Sequence, residues 1–398
     1  MSSSDTVRPV LDRAQQRALA VGVVGIVVAV ALGWHAHDAT IGWQKFLQSY
    51  LFAYVFWTVI SLGCLGVLML HHMTGGWWGY PIRRIVEAGS RLLPLMAVLF
   101  IPILLGLGSL YEWAQPDKVA ADPLLEYKKP YLNPSFFTVR TIVYFAIWIL
   151  LMFLLNKWSA EQDRTGDPRL QGRMSSLAAP GFVLWSITMT AAVIDWVMSL
   201  DARWFSTIYG LIFMVSGGLA AMSFSAIVVR LLSDYEPLKD CVEPKRFIDL
   251  GNLMLAQVLL WTYMSFSQYL IIWSGNLKNE IPWYKERAVG PWGAVAAALL
   301  IFHFFVPFFL LLQRGMKRRI KNLAGIGVLL ILLTLLDVYW QVEPAYSPAP
   351  RLKLLDVFAV IGIGGLWVAA FVNQLKKRPL LPLHDPRFEA VLEHQHGD

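Results

Sequence analysis

Residues 46–70 read FLQSYLFAYVFWTVISLGCLGVLML and contain no charged side chain in 25 positions. A helix of that length rises 1.5 Å per residue and can cross the ~30 Å hydrocarbon core of a bilayer. Lipid offers no hydrogen-bonding partner, so the backbone N–H and C=O groups of such a stretch must be satisfied within a helix or a closed barrel. The strand-like alternation of a barrel is missing, and the segment therefore predicts a transmembrane helix.

Nine further blocks have the same character. The ten blocks together hold 211 residues but only four charged side chains, whereas the other 187 residues hold 57. Over all 398 residues, 57% hydrophobic and 15% charged side chains exclude a large water-soluble core. The sequence predicts an all-α, polytopic membrane protein with ten transmembrane helices, at 18–34, 46–70, 92–110, 136–155, 177–200, 206–229, 250–273, 292–312, 323–340 and 354–372.

Lysine and arginine are distributed unevenly between the two sides of these spans. Segments on the side of the N-terminus carry 23 of the 34 basic residues, and the opposite loops, counted with Arg140 at the outer end of span four, carry 11. The positive-inside rule then places both termini in the cytoplasm, the N-side, and the loops at 112–133 and 274–291 on the opposite P-side. The net charge of +7 is attributed to this topology and to lipid contact, not to nucleic-acid binding.

The chain is predicted to be a single integral membrane domain over 1–398. Spans three and seven end in similar sequences, and spans five and nine each carry an aspartate near the outer end. These similarities suggest two four-helix bundles, at 46–200 and 206–340, flanked by spans one and ten. Units of four spans have the same topology, unlike the inverted repeats of secondary transporters.

The residues of the chain indicate no redox centre of its own. Cys64 lies inside span two and Cys241 in an N-side loop, so neither a disulfide nor an iron–sulfur cluster is expected. No C-x-x-C-H haem motif occurs, and only His71, His72 and His303 lie in or beside spans. We predict no catalytic residue and no metal site.

Ionisable groups in the spans are the candidates for function, because they are costly in hydrocarbon. Span direction places one histidine near the N-side, one midway, and three carboxylates toward the P-side. The predicted proton relay therefore consists of His72, His303, Asp195, Asp337 and Glu112.

A structural ion pair is the competing interpretation for Asp195. Its predicted partner is Arg203, one loop away, and Asp201 and Arg203 are the ion-pair candidates of that loop. Arg140 must either snorkel or face protein, and Asp356 is predicted to be interfacial.

Helical spacing also places polar residues on common faces. Tyr54 lies on a partly polar face of span two that leads to His72. Span seven carries Tyr263 on one face and, on another, Gln257, Trp261, Met264 and Gln268. A hydrated or quinone-sized cavity lined by Tyr54, Tyr263, Gln257 and Gln268 is one interpretation, and packing between helices is the other.

Several longer strings occur together. The string HHMTGGWWG at 71–79 is followed by Arg83 and Arg84, DWVMSLD at 195–201 by WFSTIYG at 204–210, and FSQY at 266–269 by IWSGNL at 272–277 and EIPWY at 280–284. This pattern, from span two to span ten, resembles the ActF-type membrane subunits of bacterial alternative complex III, which are NrfD/PsrC-like (polysulfide reductase-like) proteins. Lys278 and Asn279 depart from the Pro-Glu expected there.

The resemblance implies a subunit of a quinol:electron-acceptor oxidoreductase in the bacterial inner membrane. Menaquinone or ubiquinone would bind at or near this chain, and haems and iron–sulfur clusters would reside on partner subunits. The implied partners are a sister NrfD-like quinol-binding subunit, an iron–sulfur protein, c-type cytochromes and small membrane subunits. The expected function is to support quinol oxidation by the complex and to conduct protons across the membrane. The alternatives are a purely structural subunit of that complex and an independent secondary transporter.

Overall fold

A computed structural model describes residues 4–34, 39–236, 244–382 and 385 of the chain. These residues form helices joined by loops, with no β-strand in the described ranges. Ten of the described segments are long and apolar enough to cross a membrane, which confirms the all-α class and the number of spans. They are spans 1 to 10: Val7–Trp34, Ile41–Thr74, Trp77–Leu105, Pro134–Thr165, Arg169–Leu200, Tyr209–Leu232, Phe247–Gly275, Pro291–Leu312, Ile320–Ala345 and Leu354–Leu375.

Short helices occupy the longer loops. They are Leu107–Leu110, Pro116–Ala121 and Pro123–Lys128 between spans 3 and 4, Ile281–Ala288 between spans 7 and 8, and Arg314–Arg318 between spans 8 and 9. Two of them begin with proline. The first N–H groups of a helix have no acceptor within it, so proline, which lacks an N–H, breaks no hydrogen bond at that position. The Asp122 carboxylate caps Pro123–Lys128 by accepting a hydrogen bond of 2.9 Å from the Leu124 amide.

Spans 2 and 6 form the centre of the molecule and are almost wholly buried. They approach so closely at one point that a Cβ atom on Gly63 would lie 1.9 Å from the carbonyl oxygen of Gly217. Small residues permit such contact between membrane helices, where van der Waals packing replaces the hydrophobic effect. The other eight spans are arranged around this pair.

The surrounding spans pack in a regular order. Span 2 contacts spans 3 and 5, and span 4 contacts the same two; span 6 likewise contacts spans 7 and 9, and span 8 contacts both. Span 1 packs along span 10, where Gly22 meets Gly365 and Gly25 meets Gly362 backbone to backbone.

Span 3 begins earlier than the predicted block at 92–110. Its first part contains Arg83, Arg84 and Glu87, which are all buried and which hydropathy alone assigned to a loop. Their charges are neutralised inside the protein, because Glu87 accepts from Arg83 at 3.1 Å and from Arg84 at 2.7 Å. Arg378 also reaches Glu87 at 3.0 Å, and Asp385 reaches Arg83 at 2.5 Å, so the segment after span 10 is tied to span 3.

We predict that Gly63→Ala destabilises the protein strongly, because the new methyl group overlaps the Gly217 carbonyl unless spans 2 and 6 separate. Overpacking of this kind costs about 1–3 kcal/mol or more. Thermal unfolding of the purified chain in detergent measures the effect. Gly325→Ala in span 9 is the matched control, because a Cβ there meets nothing within 4 Å. Equal midpoints for the two variants would contradict the close contact.

Candidate functional site

The aspartate near the end of span 5 is held by an arginine. Asp195 is fully buried, and its two carboxylate oxygens accept from Arg140 Nε at 2.8 Å and from Arg140 Nη2 at 3.0 Å. Tyr144 donates a third hydrogen bond at 2.8 Å. This bidentate, charge-assisted geometry is among the strongest pairings available to a carboxylate. Asp195 therefore has its charge compensated by span 4.

The partner predicted for Asp195 was wrong. Arg140 faces protein rather than snorkelling, and its guanidinium lies 3.8 Å from the centre of the Tyr131 ring and donates to the Tyr131 carbonyl at 2.8 Å. Arg203 instead forms ion pairs with Glu112 at 3.2 Å and Asp122 at 2.6 Å. Spans 4 and 5 are adjacent and antiparallel, so Arg140 and Asp195 meet near the same membrane surface, whereas Arg203 points to the loops.

Glu112 belongs to an exposed cluster in these loops. Lys118 donates to its carboxylate at 2.9 Å and Arg203 at 3.2 Å, and these contacts lower the pKa of Glu112. Asp201 accepts from the backbone N–H of Arg203 at 3.1 Å and does not pair with its side chain. Solvent and two cations thus surround the predicted relay group Glu112.

Asp356, predicted to be interfacial, is buried at the start of span 10. It accepts from Ser49 Oγ at 2.5 Å and from the Lys353 amide at 2.9 Å. The carboxylate caps the first turn of the helix, where the dipole favours a negative charge.

Asp337 in span 9 has a different environment from Asp195. It is also buried, but within the described part of the chain the hydrogen bonds to its carboxylate come only from neutral donors. Trp261 Nε1 donates at 3.1 Å, Gln341 Nε2 at 3.4 Å and Ser216 Oγ at 3.5 Å. No ion pair to it forms within those residues. A buried carboxylate without a counter-charge is costly, and such groups are typical of proton-handling or ligand-binding sites.

His303 lies beside the same tryptophan. Its ring centroid is 4.2 Å from that of Trp261, and neither ring nitrogen has a hydrogen-bond partner among the described residues. The histidine sits in a π-helical segment, Leu299–Phe305, and such segments often occur at functional sites. Trp261 therefore contacts two of the predicted relay groups, Asp337 and His303.

A cavity of about 390 Å³ opens beside Asp337. Most of its wall is apolar, and its polar groups come from spans 7 and 9 and from the helix Ile281–Ala288. Ser206 donates to Gln268 at 2.7 Å, and Gln268 donates to Tyr284 at 3.0 Å, which fixes the amide at the wall. The cavity is lined by Ile212, Trp261, Thr262, Ser265, Phe266, Gln268, Tyr269, Tyr284, Ala288, Ala296, Ala297, Leu299, Leu300, Asp337, Trp340 and Gln341.

Gln268 is the one predicted lining residue in this wall. Tyr263 is two-thirds exposed on span 7, and Gln257 packs against Gly218 of span 6. Tyr54 lies elsewhere, where its hydroxyl donates to the Met96 carbonyl at 2.9 Å. The face of span 7 that carries Trp261 and Gln268 is the part of the prediction that matches the cavity.

Alanine occupies the position in span 8 that arginine occupies in span 4. Span 4 begins at Pro134 and has Arg140 as its seventh residue; span 8 begins at Pro291 and has Ala297 as its seventh residue. Arg140 neutralises Asp195, whereas Ala297 lines the cavity beside Asp337. Ala297 has a short, uncharged side chain, so it leaves the cavity open and supplies no counter-charge to Asp337.

The two histidines that the sequence places on the predicted N-side lie at the end of span 2. His71 and His72 are buried, with ring centroids 6.1 Å apart, and His71 packs edge-on against Trp78 and Tyr80. His72 and His303 come from different spans and have different aromatic neighbours. The structure brings Asp337 and His303 together through Trp261, but not His72, Asp195 or Glu112.

Cys64 is buried and forms no disulfide within the described residues, and Cys241 lies outside them. The described ranges contain no group of three or more His, Cys, Asp or Glu side chains placed to hold a metal ion. No protein-family model and no curated protein matches the sequence.

We predict that Arg140→Gln is strongly destabilising, because it leaves Asp195 buried without a cation. Breaking a buried pair costs about 3–5 kcal/mol. The double variant Arg140→Gln with Asp195→Asn removes both charges and is expected to recover most of the loss. Denaturation in mixed micelles gives the free energies of unfolding.

Arg203→Gln is the control for this pair, since its exposed ion pairs contribute at most about 1 kcal/mol. A loss for Arg140→Gln no larger than that for Arg203→Gln would show that the buried pair contributes little.

Proposed function

We propose that this chain is a membrane subunit of a bacterial quinol:electron-acceptor oxidoreductase of the alternative complex III type. In this proposal spans 6–9 exchange a proton with a quinol head group at Asp337. The chain itself would carry no redox centre. It would lie in the cytoplasmic membrane with both termini in the cytoplasm and assemble with a sister NrfD-like subunit, an iron–sulfur protein, c-type cytochromes and small membrane subunits.

One observation carries the proposal: a buried carboxylate, which has no ion pair among the described residues, lines a cavity whose wall is mostly apolar. Its volume of about 390 Å³ falls in the range of small-molecule sites. Phe266 and Leu300 line the cavity and are each half-exposed on the outer surface of the bundle. A lipid-soluble molecule with a hydroxylated aromatic head group suits such a site.

Menaquinol and ubiquinol belong to that class. A ring hydroxyl would donate a hydrogen bond to Asp337, and Gln341 and Tyr284 would contact the second oxygen or the ring edge. Oxidation of a quinol to a quinone releases two electrons and two protons, so it needs an electron acceptor and a base. In this proposal the electron acceptor is on a partner subunit, and Asp337 is the base: it takes the first proton, passes it on toward His303, and then takes the second.

The donors around Asp337 support this role. Hydrogen bonds from Trp261, Gln341 and Ser216 stabilise the charged carboxylate without fixing it in an ion pair. The same group can therefore hold a proton or release it as its surroundings change. Asp195 differs, because Arg140 donates hydrogen bonds to both of its carboxylate oxygens in an ion pair.

The relay proposal is accordingly kept for Asp337, His303 and His72. The ion pair of Asp195 and the exposed ion pairs of Glu112 argue against a relay role for those carboxylates. His303 would exchange protons with Asp337 across or around the Trp261 ring, which both residues contact. Transfer to His72 requires groups that bridge between different spans.

A structural role is the second candidate function, and spans 2–5 favour it. Their buried charges are neutralised in pairs: Arg140 with Asp195, and Arg83 and Arg84 with Glu87. These contacts clasp helices and contain no carboxylate available for exchange. If the subunit only holds its own helices together and docks neighbouring subunits, substitutions at its buried charges would impair assembly of the complex and not proton transfer.

We predict that Asp337→Asn lowers quinol oxidation by about a hundredfold while the complex assembles normally. Asparagine keeps the size of the side chain and its contacts but accepts no proton, and general acid–base groups contribute about 10²–10⁴-fold. The measurement is quinol-dependent reduction of cytochrome c by complex purified through a tag on this chain. Tyr263→Phe is the control, because its side chain is mostly exposed. Normal turnover with reduced assembly would favour the structural role instead.

We predict that Ala297→Arg also abolishes quinol oxidation. The arginine would reproduce on span 8 the position of Arg140 on span 4, fill the cavity and pair with Asp337. Thermal stability is expected to stay equal or rise, because a buried charge gains a partner. Unchanged activity in the stable variant would show that quinol is oxidised elsewhere.

A further inference from the structure

A second cavity, here called the outer groove, lies among the loops on the predicted P-side. Its volume is about 860 Å³. The helix Ile281–Ala288, the end of span 9 and the loops after spans 3 and 5 form its walls. Its charged lining residues are Glu112, Lys128, Asp201, Arg203, Lys278, Glu286 and Arg287.

Arg287 is the unusual member of this set. It is 2% exposed, and its Nε has no hydrogen-bond partner among the described residues. Its other nitrogens donate only to backbone carbonyls, Trp283 at 3.3 Å and Gln341 at 3.4 Å. The nearest carboxylate is that of Glu286, at 3.9 Å and with a largely exposed side chain. Burial lowers the pKa of Arg287 to about 10.

The guanidinium is also held in place. It lies 4.0 Å from the centre of the Trp283 ring, and that ring stacks on Trp204 with 4.1 Å between centroids. Stacking orients the planar fork of an arginine before any ligand arrives. A rigid fork with an unused donor matches the two oxygens of a phosphate or a carboxylate.

The acidic residues of the groove do not satisfy this cation. Glu112 pairs with Lys118 and Arg203, and Asp201 accepts from the Arg203 backbone. Lys278, on the rim, forms no ion pair within the described part of the chain. Two cations, Arg287 and Lys278, thus line the groove, and among the described residues the one carboxylate that pairs with either is the largely exposed Glu286, 3.9 Å from Arg287.

We propose that the outer groove binds a phosphate group through Arg287, with Lys278 as the second cation. Phosphate suits two cations better than a carboxylate does, because it presents three or four oxygens and up to two negative charges. The group can come from a phospholipid head group or from free inorganic phosphate. The site is separate from the cavity at Asp337: Arg287 and Gln341 lie between the two.

The test uses the full-length chain in detergent and two probes. Sodium phosphate is titrated at constant ionic strength against sodium chloride, with sodium acetate in parallel, and the thermal midpoint is recorded. Phosphatidylglycerol is compared with monogalactosyldiacylglycerol, which has no phosphate, by retention of lipid in native mass spectrometry. Stabilisation by inorganic phosphate identifies the free anion, and selective retention of phosphatidylglycerol identifies the lipid.

Arg287→Lys and Arg287→Gln are both expected to weaken binding of the effective probe about tenfold or more. Lysine keeps the positive charge but not the planar guanidinium. A folded Arg287→Lys protein therefore tests whether the guanidinium geometry is needed for binding, even if Arg287→Gln is unstable. Lys285→Gln is the matched control: it removes one charge from the same helix outside the groove, and its binding is expected to be unchanged. Equal binding by acetate, no binding of either phosphate probe, or equal loss in Lys285→Gln would each overturn the proposal.

Discussion

Charge compensation inside the bundle decides what each part of this protein can do. An ionised side chain in a low-dielectric interior needs an opposite charge or several donors beside it, and a group with neither is stable only in its neutral form. Asp195 satisfies this requirement with Arg140, and Glu87 satisfies it with Arg83 and Arg84. Among the described residues, Asp337 accepts hydrogen bonds from neutral donors only. The difference separates carboxylates held in ion pairs between helices from the one that we propose exchanges a proton.

The ten spans were predictable because their signal is local. Each needs about 20 apolar residues in sequence, and lipid leaves the backbone no structure but a helix or a closed barrel. Span 3 shows the limit of this argument: Arg83, Arg84 and Glu87 look like a loop in hydropathy, although their mutual ion pairs let the segment be buried. A hydropathy score sums values for single residues, so it does not include the ion pairs that compensate the charges of these three side chains.

The site was only partly predictable, because its signals are contacts between distant spans. Depth and polarity selected Asp195, Asp337 and His303 correctly as buried ionisable groups. They could not show that Arg140 neutralises the first, since that depends on the rotation of spans 4 and 5. Helical spacing did place Trp261 and Gln268 on one face of span 7. It gave no reason to prefer that face to the one with Tyr263, which the structure exposes.

One position explains why two spans of similar placement have different chemistry. With Arg140 on span 4, the neighbouring aspartate is held in a bidentate ion pair. With Ala297 at the same helical position of span 8, the neighbouring aspartate faces a cavity of about 390 Å³. A positive charge does lie in this half of the molecule, but Arg287 is on the far side of Gln341 and faces the outer groove. Among the described residues it forms no ion pair with Asp337, and in the proposed function its positive charge would oppose passage of protons from Asp337 through the outer groove. In the proposed function, proton exchange at Asp337 therefore runs toward the cavity and His303, on the side where a lipid-soluble donor would enter.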